Sequence, residues 1–334
     1  MTTVVFTSLW REDEEYYREH LKGMKVLTFS QSIEELPEEV LCEAEVACVF
    51  VMDRVSSQVL EKMPRLKLLH TRSVGYDHID IEECRNRGIV VTHLPEYSPS
   101  AVAQHAFALL LHLVRKLDTI KERVRRMDFS QSYQLMSRNL EDMTLGIIGT
   151  GRIGSLMARY ALSFGMKVLA YDVVTRKDLL DLGVRYTSLE DLLRESDAVS
   201  LHVPYTPQTH HLLNASNMSL LKDGCIIINT SRGAVIDTKA LYHFFREGKI
   251  GAVGLDVFEE EKTLILGRYR DGEGSSLLLK LLEMTHSDRV IITPHVAFLT
   301  DRAVSKIREE TLRILRAYAE GDMTFISSYS VFRA

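Results

Sequence analysis

Glycines at fixed spacing, followed by a carboxylate, mark a place in this chain where a diphosphate could be held. Gly149, Gly151 and Gly154 follow the apolar run 145–148, so a buried strand would pass through a tight turn into a helix. Gly149 permits the turn, Gly151 lets a phosphate approach the backbone, and Gly154 lets the new helix pack closely on the strand. Unpaired N–H groups in the helix's first turn, with the positive end of its dipole, would hold the anion. Eighteen positions beyond Gly154, Asp172 ends a second apolar run, 166–171. There its carboxylate would accept from a ribose 2′-hydroxyl and repel a 2′-phosphate, which favours NAD over NADP. A glycine turn alone is a weak sign. The preceding strand, the amphipathic segment 155–164 and the acidic residue at this distance make it specific.

Three further groups follow apolar runs. Arg232 lies in Thr230-Ser231-Arg232-Gly233 after the run 225–229, Glu261 closes Glu259-Glu260-Glu261 after 254–258, and His295 follows 290–294. The carboxyl edge of an open parallel sheet is where such folds bind ligands. Singly, each has an ordinary explanation: a domain-bridging ion pair for Arg232, a satisfied buried imidazole for His295, a solvent-facing charge for Glu261. Together they suit hydride transfer between a nicotinamide and a 2-oxo acid. That reaction needs a proton donor at the carbonyl oxygen, a cation for carboxylate and carbonyl, and a dry site. A guanidinium is a planar fork matched to a carboxylate, and a glutamate beside an imidazole favours its protonated form.

Such residues need sheets to carry them. The first hundred residues alternate helical segments with apolar runs at 4–9, 25–29, 46–51, 66–70 and 89–93, a parallel flavodoxin-like pattern. A second series begins at Thr144, with strands near Val168, Val184, Val199, Ile226, Val253 and Ile291. Between them, Ser98 as cap and Pro99 at the first helical position open a long helix. Ala106, Leu110, Leu113, Leu117, Ile120, Val124 and Met127 keep a four-three spacing along it. That stripe should be buried, in the chain's own core or in a subunit interface. A last helix, 301–320, should bury Val304, Ile307, Thr311, Ile314, Leu315 and Tyr318 and end at Gly321. The expected fold is α/β, with two Rossmann-like or flavodoxin-like parallel-sheet domains. The NAD-binding domain, 100–299, is inserted into a discontinuous substrate domain of 1–99 and 300–334.

Of 334 residues, 46% are hydrophobic and the net charge is −5. This is ample for two packed cores and lacks the basic excess that nucleic acid or an anionic membrane would attract. The basic run 115–126, interrupted by Asp118 and Glu122, reads as a solvated helix face. Cysteines at 42, 48, 84 and 225 form neither a CxxC pair nor a disulfide framework. No charged leader precedes the first strand and no apolar run approaches membrane-spanning length, so a cytoplasmic protein is expected. His202 should fall in a strand, and His210 and His211 should point to opposite sides. No carboxylate-rich set accompanies them, and no metal site is expected.

In order, 149–154, Val203-Pro204, 229–233, 254–258 and Thr293-Pro294-His295 resemble the D-isomer-specific 2-hydroxyacid dehydrogenase family over nearly the whole chain. The resemblance implies an NAD-dependent oxidoreductase with His295 as general acid and base, Glu261 as its carboxylate partner, and Arg232 binding the substrate carboxylate and polarising its carbonyl. It also implies cofactor contacts from the glycine turn, Arg152 and Ile153 at the pyrophosphate, Asp172 at the ribose, and His202, Val203 and Pro204 at the adenosine half. Thr230, Ser231, Arg232 and Asp256 would lie near the nicotinamide. Thr209 stands where the family often carries asparagine. The family's substrate loop is similar to 72–77, with Ser73 and the amides of Val74 and Gly75 at the carboxylate.

The 34 positions from Glu261 to His295 exceed the short, proline-rich connection of the phosphoglycerate and glyoxylate branches and hold a helical-looking segment, 275–284. Residues 296–300 and Tyr97 are similar to the D-lactate dehydrogenase branch, with Tyr97 and Phe298 as walls around a small substituent. The resemblance therefore implies interconversion of pyruvate and D-lactate by a homodimer, in a cleft that closes on cofactor and substrate. Another 2-oxo acid (glyoxylate, hydroxypyruvate or a larger one) is the alternative within enzymes. A non-enzymatic NAD-sensing protein resembling the corepressors of this fold is the alternative outside them.

Overall fold

The alternating runs fold as two parallel α/β units, residues 1–97 with 300–334 and residues 98–299, in a computed structural model that describes residues 1–267 and 276–332. The first unit carries β1 (Thr3–Phe6), β2 (Lys25–Thr28), β3 (Val46–Val49), β4 (Leu68–Thr71) and β5 (Val90–His93). They pair in the order β2-β1-β3-β4-β5, all parallel, which is the flavodoxin-like winding. β1, β3 and β4 are buried at every residue. Covered on both faces, they show no strict alternation of apolar and polar residues.

The chain returns to this unit at its end. The helix Asp301–Glu320 is capped by the Thr300 side chain and closed by Gly321 at φ +77, the left-handed position glycine fills most cheaply. It buries Ile307, Thr311, Leu312, Ile314 and Leu315, while Val304 and Tyr318 are only half-buried. Beyond it, Ser330 bridges antiparallel to Thr92.

The second unit carries β6 (Thr144–Ile148), β7 (Lys167–Tyr171), β8 (Arg185–Tyr186), β9 (Ala198–Leu201), β10 (Cys225–Asn229), β11 (Ile250–Leu255) and β12 (Val290–Ile292). Their order is β12-β11-β10-β9-β6-β7-β8, again all parallel. The winding direction reverses between β6 and β9. That reversal is the switch point at whose carboxyl edge a dinucleotide binds. The helical segment before β12 is Ser276–Met284; Ser275 lies outside the described residues.

The long striped helix is not continuous. Ser98 caps it and Pro99 opens it as expected, but it ends at Val114. Lys116 takes a left-handed conformation (φ +52) before a second helix, Leu117–Arg125, starts. Ala106, Leu110 and Leu113 are buried in the core of this unit. Leu117, Val124 and Met127 are exposed, and the second helix buries none of its residues. The left-handed residue interrupts the helical hydrogen-bond ladder, so the second half of the stripe no longer follows the first onto the sheet. The basic run on it is solvated, with Arg126 Nε 2.9 Å from Glu122 Oε1. Among the described residues no helix is long and apolar enough to cross a membrane.

Candidate active site

At the switch point, the three glycines separate by what requires them. Gly149 has φ +90, and a Cβ there would lie 2.7 Å from the His202 carbonyl oxygen. A Cβ at Gly154 would lie 1.9 Å from the Gly149 oxygen. The fold itself demands both. Gly151 has an ordinary φ of −62°, and a Cβ there would meet nothing within 4 Å. Packing does not require this glycine; a phosphate approaching the backbone would. The helix Arg152–Ser163 starts here without a side-chain cap, so its first N–H groups are available to an anion.

Asp172 follows β7 directly. Its Oδ2 accepts from Thr150 N at 2.5 Å and Thr150 Oγ1 at 3.0 Å, and its Oδ1 from Val174 N at 3.1 Å. Burial pulls its pKa upward, but these hydrogen bonds outweigh it and hold the carboxyl below the usual range. The group is a fixed anion at the expected ribose position. Tyr186 Oη donates to Thr150 Oγ1 at 2.9 Å. Nothing in the sequence singles out this support, because Tyr186 lies in a two-residue strand too short to show a pattern.

His202 is the residue after β9 rather than within a strand. Its Nε2 lies 2.9 Å from Ser200 Oγ, and burial pushes the imidazole down to about 4, so the ring is neutral. Val203 packs against the core of this unit. Thr209 Oγ1 donates to Pro204 O at 2.6 Å, and Thr206 N donates to Thr209 Oγ1 at 2.8 Å, closing the loop beside Val203 and Pro204. The rings of His210 and His211 do not diverge; they stack with centroids 3.9 Å apart, because His211 has φ +46. His211 Nε2 lies 2.9 Å from Glu259 Oε1. Among the described residues no group of three or more His, Cys, Asp or Glu could hold a metal.

β10 ends at Asn229, whose Oδ1 accepts from Ser231 N (3.0 Å) and Ser231 Oγ (2.7 Å) while its Nδ2 donates to Arg232 O (2.9 Å). This side-chain turn fixes the backbone that presents Arg232. Next to it, Thr230 is buried and its Oγ1 has no hydrogen-bond partner among the described residues. An unpaired buried hydroxyl costs about 1–3 kcal/mol, which a polar ligand group would relieve. This orphan oxygen and the open cradle at Gly151 both fit a dinucleotide. A Cβ at Gly233 would come within 2.1 Å of the Phe258 carbonyl carbon, so the Arg232 turn lies against the segment leading to Glu261.

Glu261 begins the short helix Glu261–Ile265. Its Oε2 accepts from Phe258 N at 3.1 Å, and its Oε1 lies 2.9 Å from His295 Nδ1. The two side chains are 14% and 13% exposed. An ionised carboxylate can only accept, so Nδ1 carries a hydrogen. Nε2 has no hydrogen-bond partner among the described residues, and it is the nitrogen left for chemistry.

His295 sits at φ +55, with its N–H donating to Asp256 O at 2.9 Å and Thr293 O at 3.0 Å. A left-handed non-glycine costs about 1–2 kcal/mol and persists where surroundings over-determine it. The Asp256 carboxylate, 1% exposed, accepts from Val296 N and Ala297 N, each at 2.9 Å. It points into the loop that carries His295.

In the first unit, the loop after β4 is tied down through its carbonyls. Ser73 O accepts from Leu94 N at 3.0 Å, Val74 O from His93 Nδ1 at 2.8 Å, and Gly75 O from Ser73 Oγ at 2.7 Å. In a trans peptide the N–H points opposite to the C=O, so the amides of Val74 and Gly75 turn away from these bonds. Buried Arg72 anchors the loop through Thr7 O (2.6 Å) and Ser8 O (3.1 Å). Tyr97, at the end of the first unit's first segment, is half-buried. Phe298, in the second unit, is buried.

An imidazole backed by a carboxylate carries no redox chemistry alone; in a dinucleotide-binding unit it suits a dehydrogenase. Residues 107–297 match the model of the D-isomer specific 2-hydroxyacid dehydrogenase NAD binding domain. The chain is 50% identical to D-lactate dehydrogenase from Aquifex aeolicus, solved with NAD and lactic acid, with a TM-score of 0.96 over 99% of both chains. It is 37% identical over 283 residues to the D-lactate dehydrogenase of Escherichia coli, covering 84% of each. It is 38% identical over 292 residues to a glyoxylate reductase of Thermococcus litoralis, covering 85% of this chain and 83% of that protein. The chain belongs to the D-isomer-specific 2-hydroxyacid dehydrogenase family and is an NAD-dependent oxidoreductase.

Proposed function

We propose that this enzyme interconverts pyruvate and D-lactate, with His295 as general acid and base. The observation that carries the reading is the 2.9 Å pairing of His295 Nδ1 with Glu261, which leaves Nε2 for the substrate oxygen. NADH, when bound, supplies the hydride that reaches the carbonyl carbon. His295 Nε2 gives its proton to the carbonyl oxygen, and Glu261 holds the other ring nitrogen through the change in charge. Lactate oxidation returns the proton to the same nitrogen. Arg232 holds the carboxylate and draws charge onto the carbonyl oxygen, while the amides of Val74 and Gly75, on the loop that Ser73 Oγ pins through Gly75 O, also serve the carboxylate. Tyr97 and Phe298 restrict the side chain to a methyl group. Gly149, Gly151, Arg152, Ile153 and Gly154 receive the pyrophosphate and Asp172 the ribose. His202, Val203, Pro204 and Thr209 serve the adenosine half, and Thr230 and Ser231 the nicotinamide. Asp256 is better suited to anchoring the His295 loop than to touching the cofactor. The likeness to the Aquifex enzyme supports the choice of pyruvate and D-lactate.

The test is NADH oxidation with pyruvate, glyoxylate, hydroxypyruvate, 2-oxoisocaproate and phenylpyruvate in parallel, followed by chiral analysis of the product. Preference for pyruvate giving D-lactate is expected. Preference for glyoxylate, the substrate named for the Thermococcus relative, or for a larger acid would overturn the assignment of Tyr97 and Phe298. Intact NADH binding without turnover would favour a sensor.

A homodimer belongs to the same reading. Leu117, Val124, Met127, Phe129, Tyr133 and Met136 are all exposed within twenty residues, Tyr133 at 90%. This stripe continues one that is core in the preceding helix, and a second copy is its proposed cover; a monomer by light scattering would overturn this. Four free cysteines suit a reducing cytoplasm.

A further inference from the structure

The loop that carries His295 is held at a third point, outside the family of contacts described so far. His105, in the helix Pro99–Val114, has its Nε2 3.0 Å from Thr293 Oγ1 and 3.6 Å from Asp256 Oδ1. Thr293 Oγ1 in turn donates to Asp256 Oδ1 at 2.6 Å. The threonine hydrogen is therefore spent on the carboxylate, so what faces His105 is an oxygen lone pair. His105 Nε2 must carry a hydrogen and donate it.

We propose that His105 is a positioning residue for the reaction: through Thr293 and Asp256 it sets the orientation of His295. The inference rests on His295 being the general acid and base. Asp256 takes the amides of Val296 and Ala297 on one side of His295 and the hydroxyl of Thr293 on the other, and its carbonyl takes the His295 amide. Each flank of the left-handed residue is thus referred to one buried carboxylate. That carboxylate's bond to Thr293 is aligned by a donor on a packed helix. Without His105, the threonine hydroxyl is free to rotate and share its hydrogen elsewhere. The loop then loses the link that keeps the His295 ring aligned with both Glu261 and the carbonyl oxygen. A misplacement of about 1 Å at a reacting group costs on the order of a hundredfold.

The test uses the full chain with NADH and its preferred 2-oxo acid, in His105→Leu, His105→Gln, Thr293→Val and the double variant His105→Leu/Thr293→Val. In His105→Leu and Thr293→Val, kcat is expected to fall roughly tenfold to a hundredfold. NADH affinity, read by fluorescence titration, should stay within about twofold, because neither residue is assigned to the cofactor. The isotope effect on kcat with NADH deuterated at the transferred position should rise as chemistry becomes limiting. The double variant should be no slower than the worse single one, since both break the same chain of bonds. His105→Gln keeps an N–H donor and should recover most of the rate. Full turnover in His105→Leu, additive losses in the double variant, or a parallel loss of NADH affinity would each overturn the proposal. Should His105→Leu fail to fold, Thr293→Val removes the same link without altering the helix. An inactive His295→Ala beside a fully active Thr293→Val would sink this inference alone. A fully active His295→Ala would sink the general-acid reading with it.

Discussion

Two histidines, one in each unit, are put to opposite uses by their partners. His70, in β4, is fully buried, with Nδ1 3.0 Å from Thr92 Oγ1 and Nε2 3.2 Å from Thr311 Oγ1. Both ring nitrogens are engaged by hydroxyls. Burial, helped by the nearby Arg72 cation, pushes the imidazole down to about 3, so it is neutral and ties β4 to the last long helix. His295 has one nitrogen on a carboxylate and the other without a partner among the described residues. Two hydroxyls make a strut of the core; one carboxylate and a nitrogen without a partner among the described residues suit the proton donor proposed above. Partner chemistry, more than burial, separates the roles.

The largest effect that could break this contrast is in His295→Ala. Its kcat should fall about 10²–10⁴-fold while NADH affinity is retained; near-native turnover under chemistry-limited conditions would erase the distinction. Next, Glu261→Gln keeps an acceptor for Nδ1 but loses the charge, and kcat should drop about tenfold. An unchanged pre-steady-state rate would mean the carboxylate only positions the ring.

His70→Gln should leave turnover intact and cost about 1–3 kcal/mol of stability, measured by urea unfolding. It should also change the pH dependence. An unfolded histidine titrates near 6.5 and folded His70 near 3, so between these values only the unfolded chain binds the proton. Stability from this residue is therefore full above about pH 6.5 and falls on acidification by up to about 1.4 kcal/mol per pH unit. The variant should flatten that slope; identical slopes between pH 4 and 7 would show that His70 protonates in place.

The smallest effect carries the same contrast to glycine. Gly151→Ala should weaken NADH binding roughly tenfold, about 1.4 kcal/mol, without moving the thermal midpoint of the cofactor-free protein. A lowered midpoint would mean the fold, not the cofactor, demands that glycine.

Much of this was legible in the sequence. The glycine turn and Asp172 obey local steric rules, the apolar runs announced both sheets, and Ser98-Pro99 and Gly321 marked helix ends that the structure shares. The break at Lys116 was not legible. The four-three spacing runs straight through it without glycine or proline, and periodicity says nothing about where the underlying surface stops. The stacking of His210 on His211 was hidden for a related reason, since it follows from one positive φ.

The sequence by itself determined the residue types, the alternation of elements and the turn at the switch point, because each depends on neighbours within a few positions. Only the tertiary structure decided which distant groups meet. Glu261 reaches His295 across 34 positions, and Asp256 reaches Ala297 across 41. Parallel strands require long crossover connections. The distances that bring these candidate residues together therefore come into being only once β10, β11 and β12 lie side by side.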